Sequence, residues 1–349
     1  MQSPWDYPDF DGHEAVHFFT DLKSGLRVVI AIHSTARGPA AGGVRFWHYP
    51  RTDAAVADAL RLSRGMSFKN AMADLPVGGG KAVILAPEDR SKSPELLAAF
   101  GKAVDSLGGA YITAADVGVT VPDLVAVARR TKYVSGLPAA AGSAGGDPGP
   151  HTAYGVFLGV KAAARRALGK DGLAGLHIAV QGAGSVGGGL ARLAAAEGAR
   201  ITLADLDAAR AATVAGEIGG TVVGVDEILM TEADIVSPCA LGAVLNETSI
   251  PQLRAPVVAG GANNQLARAE DGARLMQRGI LYAPDYVINA GGIINVVLEY
   301  LERAGADEVR SRIERIPARL EEVWEESARS GQDPATVADW MAQRLIGRG

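Results

Sequence analysis

The chain has 349 residues, of which 48% are hydrophobic and 21% are charged, a composition typical of soluble globular proteins. This length exceeds what one hydrophobic core usually serves, so we expect about two domains. The net charge of −5 argues against a nucleic-acid partner, and the single cysteine, Cys239, excludes a disulfide framework and a cysteine-rich metal site.

The N-terminal segment has neither the basic region nor the apolar region of a signal peptide. No uninterrupted apolar run reaches the length of about 18 residues that a membrane-spanning helix needs. The spacing of His13, His33, His48, His151 and His177 does not suggest a ligand set, so we expect no metal. We therefore expect a soluble cytoplasmic protein with no membrane partner.

The first predicted elements are strands. Apolar and β-branched runs over 15–20 and 26–33 flank a short turn that contains glycine, which predicts a β-hairpin. A glycine-rich corner over 38–47 leads into a third strand. The spacing of apolar residues over 52–70 then predicts a helix.

A glycine-rich segment, LPVGGGKAVIL over 75–85, follows that helix. A phosphate-binding P-loop would need Ser or Thr after the lysine and then a helix, but Ala82 follows Lys81 and the next residues predict a strand. We interpret the three glycines as a flexible turn that leaves room for a ligand beside Lys81. A buried lysine needs a partner, so a functional and a structural role of Lys81 are equally open.

The other charged candidates of this region are Asp116 and Lys69. Asp116 comes just after a short predicted strand over 111–113, where loop residues of α/β proteins often carry chemistry. A helix N-cap or an ordinary loop position explains Asp116 equally well. Lys69 falls near the end of an amphipathic helix, where a lysine is usually solvated.

The segment over 138–150 consists almost entirely of Gly, Ala, Pro and Ser. Such a composition is typical of a crossing between domains, and it could act as a hinge or lid. We therefore predict a first domain over 1–137 and a second over 138–329. A helical tail over about 330–349 is expected to pack back on the first domain.

The clearest motif of the chain begins at His177, with the sequence HIAVQGAGSVGGG. Between two predicted strands, Gly182 would allow a tight turn, Gly184 would admit a pyrophosphate, and Gly187 would let a helix pack closely. Asp205, at the end of the second strand, is placed to bind both ribose hydroxyls, which favours NAD over NADP. Ser185 and Val186 belong to the same fingerprint. The alternative is a glycine-rich turn without a ligand, which the flanking strands and Asp205 make the weaker interpretation.

Strands and helices continue to alternate after Asp205, which predicts a parallel, doubly wound sheet. The predicted helices cover 207–218 and 265–278, and the predicted strands cover 221–223, 234–237, 257–260 and 280–282. The tail from about 289 is predicted to be helical, interrupted near Pro317 and at 331–334.

Several long blocks resemble, in order, those of the amino-acid dehydrogenases that act on glutamate, leucine, phenylalanine and valine. They include GPAAGGVRFW, RLSRGMSFKNAMADLPVGGGKAVI, YITAADVG, VQGAGSVG, VAGGANNQLA and GILYAPDYVINAGGIINV. The resemblance covers nearly the whole chain and is closest to the leucine, valine and phenylalanine branch. It implies an α/β fold with two domains, an N-terminal α/β substrate and oligomerisation domain and a Rossmann-type doubly wound NAD-binding domain.

The resemblance also implies a reaction. An L-amino acid, NAD and water would give a 2-oxo acid, ammonium and NADH, reversibly. Lys69 resembles the lysine that pairs with the substrate carboxylate, and Lys81 resembles the lysine whose depressed pKa lets it deprotonate water. Asp116 resembles the acid that exchanges protons with the amino nitrogen. Asn263 resembles a second ligand of the substrate carboxylate.

Further site residues are carried over by the same motifs. On the cofactor side these are Thr152, Cys239, Ala240 and Asn264; on the substrate side they are Gly42, Gly43, Ala41, Ala114, Ile293 and Val296. Cys239 has no histidine near it in sequence, so we interpret it as a small residue packed against NAD rather than a nucleophile. A homo-oligomer, either a dimer or an octamer, is also implied.

The side-chain pocket is of mixed type. Leucine enzymes usually have Leu where this chain has Ala41, and the smaller residue is more typical of phenylalanine enzymes. Ile293 replaces a more usual Val, whereas Val296 and Ala114 resemble the leucine enzymes. We therefore expect leucine or another branched-chain substrate, with phenylalanine as the alternative. A non-catalytic NAD-binding sensor is the alternative of another class.

Overall fold

The computed structural model describes residues 4–138, 144–301 and 305–348. The chain divides into two compact units. The first comprises Met1–Gly146, Asn295–Val309 and Ala342–Gly349, and the second comprises Asp147–Ile294 and Arg310–Met341. The predicted domains had one boundary near 137 and a tail from about 330 that returns to the first domain. In the structure the chain passes between the two units more often, because 295–309 belong to the first unit and 310–341 to the second. The functional division into domains stays a prediction.

The first unit contains a mixed five-stranded sheet in the order β1-β2-β4-β3-β5. Its strands are β1 (Ala15–Asp21), β2 (Leu26–Ser34), β3 (Ala40–Trp47), β4 (Gly78–Leu85) and β5 (Tyr111–Ala115). The predicted hairpin is confirmed, since β1 and β2 pair antiparallel. β3 runs parallel to both β4 and β5, so the carboxyl ends of these three strands share one edge of the sheet.

Helices cover both faces of this sheet. They are α1 (Thr52–Met72), α2 (Pro94–Asp105) and α3 (Val121–Ala128). Val29 and Ala31 of β2 pack with Leu60 of α1, whereas Ile30 packs with Phe100 of α2 on the opposite face. Both faces of β2 are therefore buried, which explains its almost uninterrupted apolar sequence.

The second unit contains an all-parallel sheet of six strands in the order β11-β10-β9-β6-β7-β8. The strands are β6 (His177–Gln181), β7 (Arg200–Ala204), β8 (Thr221–Val222), β9 (Ile235–Pro238), β10 (Val257–Val258) and β11 (Leu281–Tyr282). The strand order reverses between β6 and β9, the position where doubly wound sheets bind their ligands. The predicted Rossmann-type fold is confirmed.

The remaining helices come from the second unit and the tail. They are α4 (Gly149–Leu168), α5 (Ser185–Ala196), α6 (Ala208–Ile218), α7 (Glu270–Gln277), α8 (Asp285–Ile288), α9 (Gly291–Tyr300), α10 (Ala306–Ile313), α11 (Ile316–Ser330) and α12 (Pro334–Leu345). Across the described residues, no helix combines the length and the apolar character that crossing a membrane requires. Within the predicted crossing, 139–143 lie outside the described residues.

One predicted helix, 265–278, was wrong in its first turn, because α7 begins only at Glu270. Leu266 forms a parallel bridge with Leu245, which holds this part of the chain extended. The buried side-chain amide of Gln265 donates to the carbonyl oxygens of Gly260 and Ala262, at 2.7 and 3.0 Å. These tertiary contacts override the local helical pattern.

Candidate active site

The three glycines before Lys81 lie inside β4, so the prediction of a glycine turn with space for a ligand was wrong. A Cβ atom on Gly79 would lie 2.0 Å from the backbone nitrogen of Ser67 in α1. A Cβ atom on Gly80 would lie 2.8 Å from the ring of Tyr111. The glycines therefore let α1 and Tyr111 pack directly against the strand, which fixes the backbone that carries Lys81.

The side chains of Lys81 and Asp116 meet, with 2.8 Å between Lys81 Nζ and Asp116 Oδ2. Lys81 lies in the middle of β4, and Asp116 follows the last residue of β5. Burial lowers the pKa of Lys81 below its ordinary value, against the attraction of Asp116. Burial would raise the pKa of Asp116, but the charges of Lys81 and Arg45 outweigh it and lower this pKa to about 2. The pair thus combines an ionised carboxylate with a lysine that loses its proton easily.

The sequence analysis missed a second layer of charge behind this pair. Arg45 of β3 donates from Nε to Asp116 Oδ2 at 3.0 Å and from Nη1 to Asp58 Oδ2 at 2.7 Å. Asp58 is buried on α1. The available signal was an arginine within an otherwise apolar strand and an aspartate on the apolar face of a helix, since such charges require partners.

Four of the predicted substrate residues lie on adjacent strands. Ala41 of β3 pairs with Ile112 of β5, and Gly43 pairs with Ala114. A Cβ atom on Gly43 would lie 3.0 Å from Asp116 Cβ, and one on its neighbour Gly42 would lie 1.9 Å from a carbonyl oxygen of β4. Both glycines therefore let β3 pack closely against the backbone next to Lys81 and Asp116.

Lys69 lies half-buried on α1, between two residues that fasten this helix to β4. Ser67 contacts the strand beside Gly79, and Asn70 Nδ2 donates to the carbonyl oxygen of Gly78 at 2.6 Å. The helix position of Lys69 is therefore rigidly coupled to the strand that holds Lys81.

In the second unit, the turn between β6 and α5 has the geometry that its three predicted glycine roles require. Gly182 has a φ of 97°, a left-handed conformation that glycine favours. A Cβ atom on Gly184 would meet nothing within 4 Å, whereas one on Gly187 would lie 1.9 Å from the Gly182 carbonyl oxygen. The turn is thus open at Gly184 and tightly packed at Gly187. Ser185 and Val186 begin α5, and the first N–H groups of a helix are donors that can bind phosphate.

Asp205 follows β7 directly, and its side chain is only 7% exposed. Arg210 donates from Nη2 to Oδ1 at 2.7 Å, and the backbone N–H of Ala183 donates to Oδ2 at 2.7 Å. The hydrogen bond from Arg210 is the main reason that the pKa of Asp205 falls to about 2. The carboxylate is therefore ionised and tied to the glycine turn.

Two of the residues predicted for the nicotinamide half, Ala240 and Cys239, pack against the same turn. A Cβ atom on Gly182 would lie 2.8 Å from Ala240 Cβ, and one on Gly187 would lie 2.9 Å from Cys239 Cβ. Burial raises the pKa of the Cys239 thiol, which favours packing over nucleophilic chemistry. Thr152, in the first turn of α4, donates from its hydroxyl to a backbone carbonyl oxygen at 2.9 Å.

Asn263 and Asn264 follow β10 in a loop where Asn264 has a φ of 51°. Asn289, which the sequence analysis missed, donates from Nδ2 to Asn263 Oδ1 at 2.8 Å. This bond occupies the oxygen of Asn263 and leaves its amide N–H groups as the donors that a carboxylate needs. Asn289 is 2% exposed, and no sequence pattern distinguished it from other tail residues.

Ile293 and Val296 lie one turn apart on α9, at the point where the two compact units divide. Ile293 belongs to the second unit and is half-buried, and Val296 belongs to the first unit and is 8% exposed. The described contacts therefore bring Lys81 together with Asp116 in one unit and gather the nucleotide residues in the other. Their roles in substrate and cofactor binding remain predictions.

Known proteins share this arrangement of domains. Residues 13–133 match the Glu/Leu/Phe/Val dehydrogenase dimerisation domain, and residues 209–346 match the Glutamate/Leucine/Phenylalanine/Valine dehydrogenase domain. The chain is 46% identical to leucine dehydrogenase of Bacillus subtilis over 336 residues, which cover 96% of this chain and 92% of that protein. It is 44% identical to valine dehydrogenase of Streptomyces albus over 343 residues, which cover 97% and 94%.

A solved structure is also similar throughout. L-tryptophan dehydrogenase from Nostoc punctiforme matches with a TM-score of 0.84 and 40% sequence identity, covering 96% of each chain. Both the sequence similarity and the structural similarity thus cover almost the full length of the chain. The chain therefore belongs to the glutamate, leucine, phenylalanine and valine dehydrogenase family, as its motifs predicted.

Proposed function

We propose that this protein catalyses the reversible NAD-dependent oxidative deamination of hydrophobic L-amino acids, with branched-chain substrates preferred. The products would be the 2-oxo acid, ammonium and NADH. The observation that carries the proposal is the ion pair between the buried Lys81 and the half-buried Asp116, because deamination requires one group to handle water and another to handle nitrogen. The similarity to leucine and valine dehydrogenases supports the class of substrate.

Two residues are proposed to bind the substrate carboxylate. Lys69 would supply a positive charge from α1, and Asn263 would supply the amide N–H groups that Asn289 leaves available. Charge-assisted contacts of this kind orient the Cα–H bond of the substrate for hydride loss.

The chain's own acid and base would then move the protons. Asp116, ionised at neutral pH, would accept a proton from the substrate ammonium group. Hydride loss from Cα leaves an imine carbon, and a neutral Lys81 would take a proton from the water that attacks it. Asp116 would return its proton to the nitrogen of the resulting carbinolamine. As the C–N bond breaks, the hydroxyl proton would pass to the Asp116 carboxylate and the 2-oxo acid forms. Asp116 would then give this proton to the departing ammonia, which leaves as ammonium, and Lys81 would release its proton to solvent. The lowered pKa of Lys81 makes its neutral form more accessible than that of an ordinary lysine.

NAD, when bound, would supply the hydride acceptor. The open backbone at Gly184 and the N–H groups at the start of α5 fit a pyrophosphate. The ionised carboxylate of Asp205 would accept the ribose hydroxyls in place of the Arg210 guanidinium, which contacts both of its oxygens in this structure. A 2′-phosphate would meet the same negative charge, so NADP should bind less well. Thr152, Cys239, Ala240 and Asn264 are proposed to border the nicotinamide half.

Phenylalanine is the second candidate substrate, favoured by one residue. Ala41 is small and 4% exposed on β3, where a larger residue is usual in leucine enzymes. Gly42, Gly43, Ala114, Ile293 and Val296 are proposed to line the remainder of the site. A methylene group in an apolar pocket discriminates by only about 1–3 kcal/mol, so we propose a broad preference rather than strict selectivity.

We further propose that the protein works as a homo-oligomer, a dimer or an octamer. The match of 13–133 to a dimerisation domain supports association through the first unit. Light scattering coupled to size-exclusion chromatography will measure the mass, with a multiple of the 36.0 kDa chain expected. A monomer at working concentration would contradict the proposal.

The activity itself is tested by following NADH formation with L-leucine, L-valine, L-isoleucine and L-phenylalanine at alkaline pH. We expect turnover with all four and higher kcat/KM for the aliphatic substrates. The Lys81→Ala variant serves as the control for the chemistry. Absence of turnover across a wide panel of L-amino acids, with intact NAD binding by calorimetry, would instead indicate a non-catalytic NAD-binding sensor.

A further inference from the structure

Arg45 joins two carboxylates that belong to different elements of the first unit. Its Nε donates to Asp116 Oδ2 and its Nη1 donates to Asp58 Oδ2. The side chain of Arg45 is 22% exposed, and that of Asp58 is 10% exposed. A planar guanidinium group can bind two carboxylates at fixed angles, whereas an ammonium group cannot reproduce this geometry.

Both cations of this cluster contact the same oxygen of Asp116. Lys81 Nζ lies 2.8 Å from Oδ2, and Arg45 Nε lies 3.0 Å from it. The backbone N–H of Val117 also donates to the Asp116 carboxylate. The two cations and this N–H group therefore hold the carboxylate in one orientation between β3, β4 and the end of β5.

Arg45 is itself held in place by Asp58. Oδ2 of Asp58 accepts hydrogen bonds from Arg45 and from the Tyr49 hydroxyl, the latter at 2.5 Å. Oδ1 of Asp58 accepts from Arg61 Nη2 at 2.8 Å. With three donors on its carboxylate, Asp58 is a rigid anchor. These hydrogen bonds offset the free-energy cost of burying a charged carboxylate on α1.

Burial is the main cause of the lowered pKa of Lys81, and the positive charge of Arg45 adds to it. The charged groups that face Lys81 are Arg45 from β3, Asp116 beyond β5 and Asp58 from α1. Tyr111, on β5, is neutral because burial raises its pKa. If Lys81 alone compensated Asp116, deprotonation would leave a buried carboxylate without a cation, which is costly. Because Arg45 keeps its positive charge, it compensates the Asp116 carboxylate whether Lys81 is protonated or neutral.

We propose that Arg45, anchored by Asp58, is a positioning residue that orients Asp116 and keeps this carboxylate compensated whenever Lys81 gives up its proton. The proposal rests on the proposed deaminase function. It assigns a role to two residues that do not themselves touch the substrate.

The first test compares Arg45→Gln with Arg51→Gln, a matched control whose arginine is 76% exposed and pairs with Asp53 at the surface. We expect Arg45→Gln to lower kcat for L-leucine by about 10- to 100-fold with a smaller change in KM, because misorientation affects the chemical step. The acid limb of its kcat/KM profile should move about one pH unit upward, because the loss of a positive neighbour raises the pKa of Lys81. The control should match the wild type in all three quantities.

Two further variants separate orientation from charge. Arg45→Lys retains the charge but cannot contact both carboxylates, so the acid limb should return toward the wild-type position while kcat remains low. Asp58→Asn retains the shape but weakens the anchor, so kcat should fall by less than in Arg45→Gln. An acid limb that stays at the wild-type pH in Arg45→Gln would overturn the proposed charge compensation.

Competitive labelling with acetic anhydride provides a readout that needs no turnover. The pH dependence of acetylation at Lys81, measured by peptide mass spectrometry, should shift upward in Arg45→Gln and remain unchanged in Arg51→Gln. This shift is expected even if the wild type proves inactive with every amino acid, so failure of the proposed activity and failure of this inference are distinguishable. If the folded wild type, Arg45→Lys and Arg45→Gln all give the same labelling curve for Lys81, the inference is overturned.

Discussion

Gly79 and Gly184 show how differently the two units use glycine. In β4, a Cβ atom on Gly79 would lie 2.0 Å from the backbone of α1, so the missing side chain is filled by protein. At the start of α5, a Cβ atom on Gly184 would meet nothing within 4 Å, so the space stays open. The same residue type therefore serves close packing at Gly79 and leaves open space at Gly184.

The largest effect is expected from the chemistry of the first unit. Lys81→Ala should reduce kcat by about a thousandfold or more, because the water attack loses its general base. The affinity for NAD should change little, because the nucleotide residues belong to the second unit. Steady-state kinetics and isothermal titration calorimetry measure the two quantities. Loss of NAD binding in this variant would show that the roles are not divided between the units as proposed.

The glycine comparison itself is tested by Gly79→Ala and Gly184→Ala. We expect Gly79→Ala to lower the free energy of unfolding by about 2 kcal/mol or more, because the methyl group overlaps α1. Gly184 has a φ of −71°, which alanine adopts readily, so its variant should fold almost as stably as the wild type. The Kd for NAD should nevertheless rise by about tenfold, because the methyl group would obstruct the pyrophosphate. Denaturant titration and calorimetry check both variants, and equal stability losses would contradict the comparison.

A smaller effect is expected for the choice of cofactor. Asp205→Ala should raise the ratio of kcat/KM for NADP over NAD by about tenfold or more, because it removes a negative charge and releases Arg210 to bind a 2′-phosphate. The double variant Asp205→Ala with Arg210→Ala is the control, and it should lose most of this gain. An unchanged ratio in the single variant would mean that Asp205 does not contact the ribose.

The smallest effect concerns the substrate side chain. Ala41→Leu should increase the ratio of kcat/KM for leucine over phenylalanine, by an amount that corresponds to about 1–3 kcal/mol at most. The additional side chain would occupy space that an aromatic ring needs. If the ratio does not change, Ala41 does not line the site, and the preference must be set elsewhere.

The sequence predicted the second unit more completely than the first. A short local pattern, strand, glycine turn, helix, strand and acid, contains nearly all the information that places Gly182, Gly184, Gly187 and Asp205. The geometry of that site depends mostly on backbone close to the motif, so local rules were sufficient.

The first unit depends on contacts between distant segments, which local patterns do not contain. Three consecutive glycines were interpreted as a turn because the sequence does not reveal that α1 crosses directly over β4. Arg45 lies in the GPAAGGVRFW block and Asp58 comes 13 residues later on α1, and nothing in that local pattern shows that the two side chains meet. The late start of the helix predicted over 265–278, in the second unit, has the same origin, a bridge between Leu245 and Leu266.

The central claim is that this protein removes a hydride from the Cα atom of a hydrophobic L-amino acid and releases its nitrogen. The most direct measurement is to supply L-leucine deuterated at Cα and follow NADH, ammonium and the 2-oxo acid together by mass spectrometry. We predict equal amounts of the three products, with the deuterium of the substrate recovered in NADH. Ammonium released without NADH, or no deuterium in the NADH that forms, would contradict the claim.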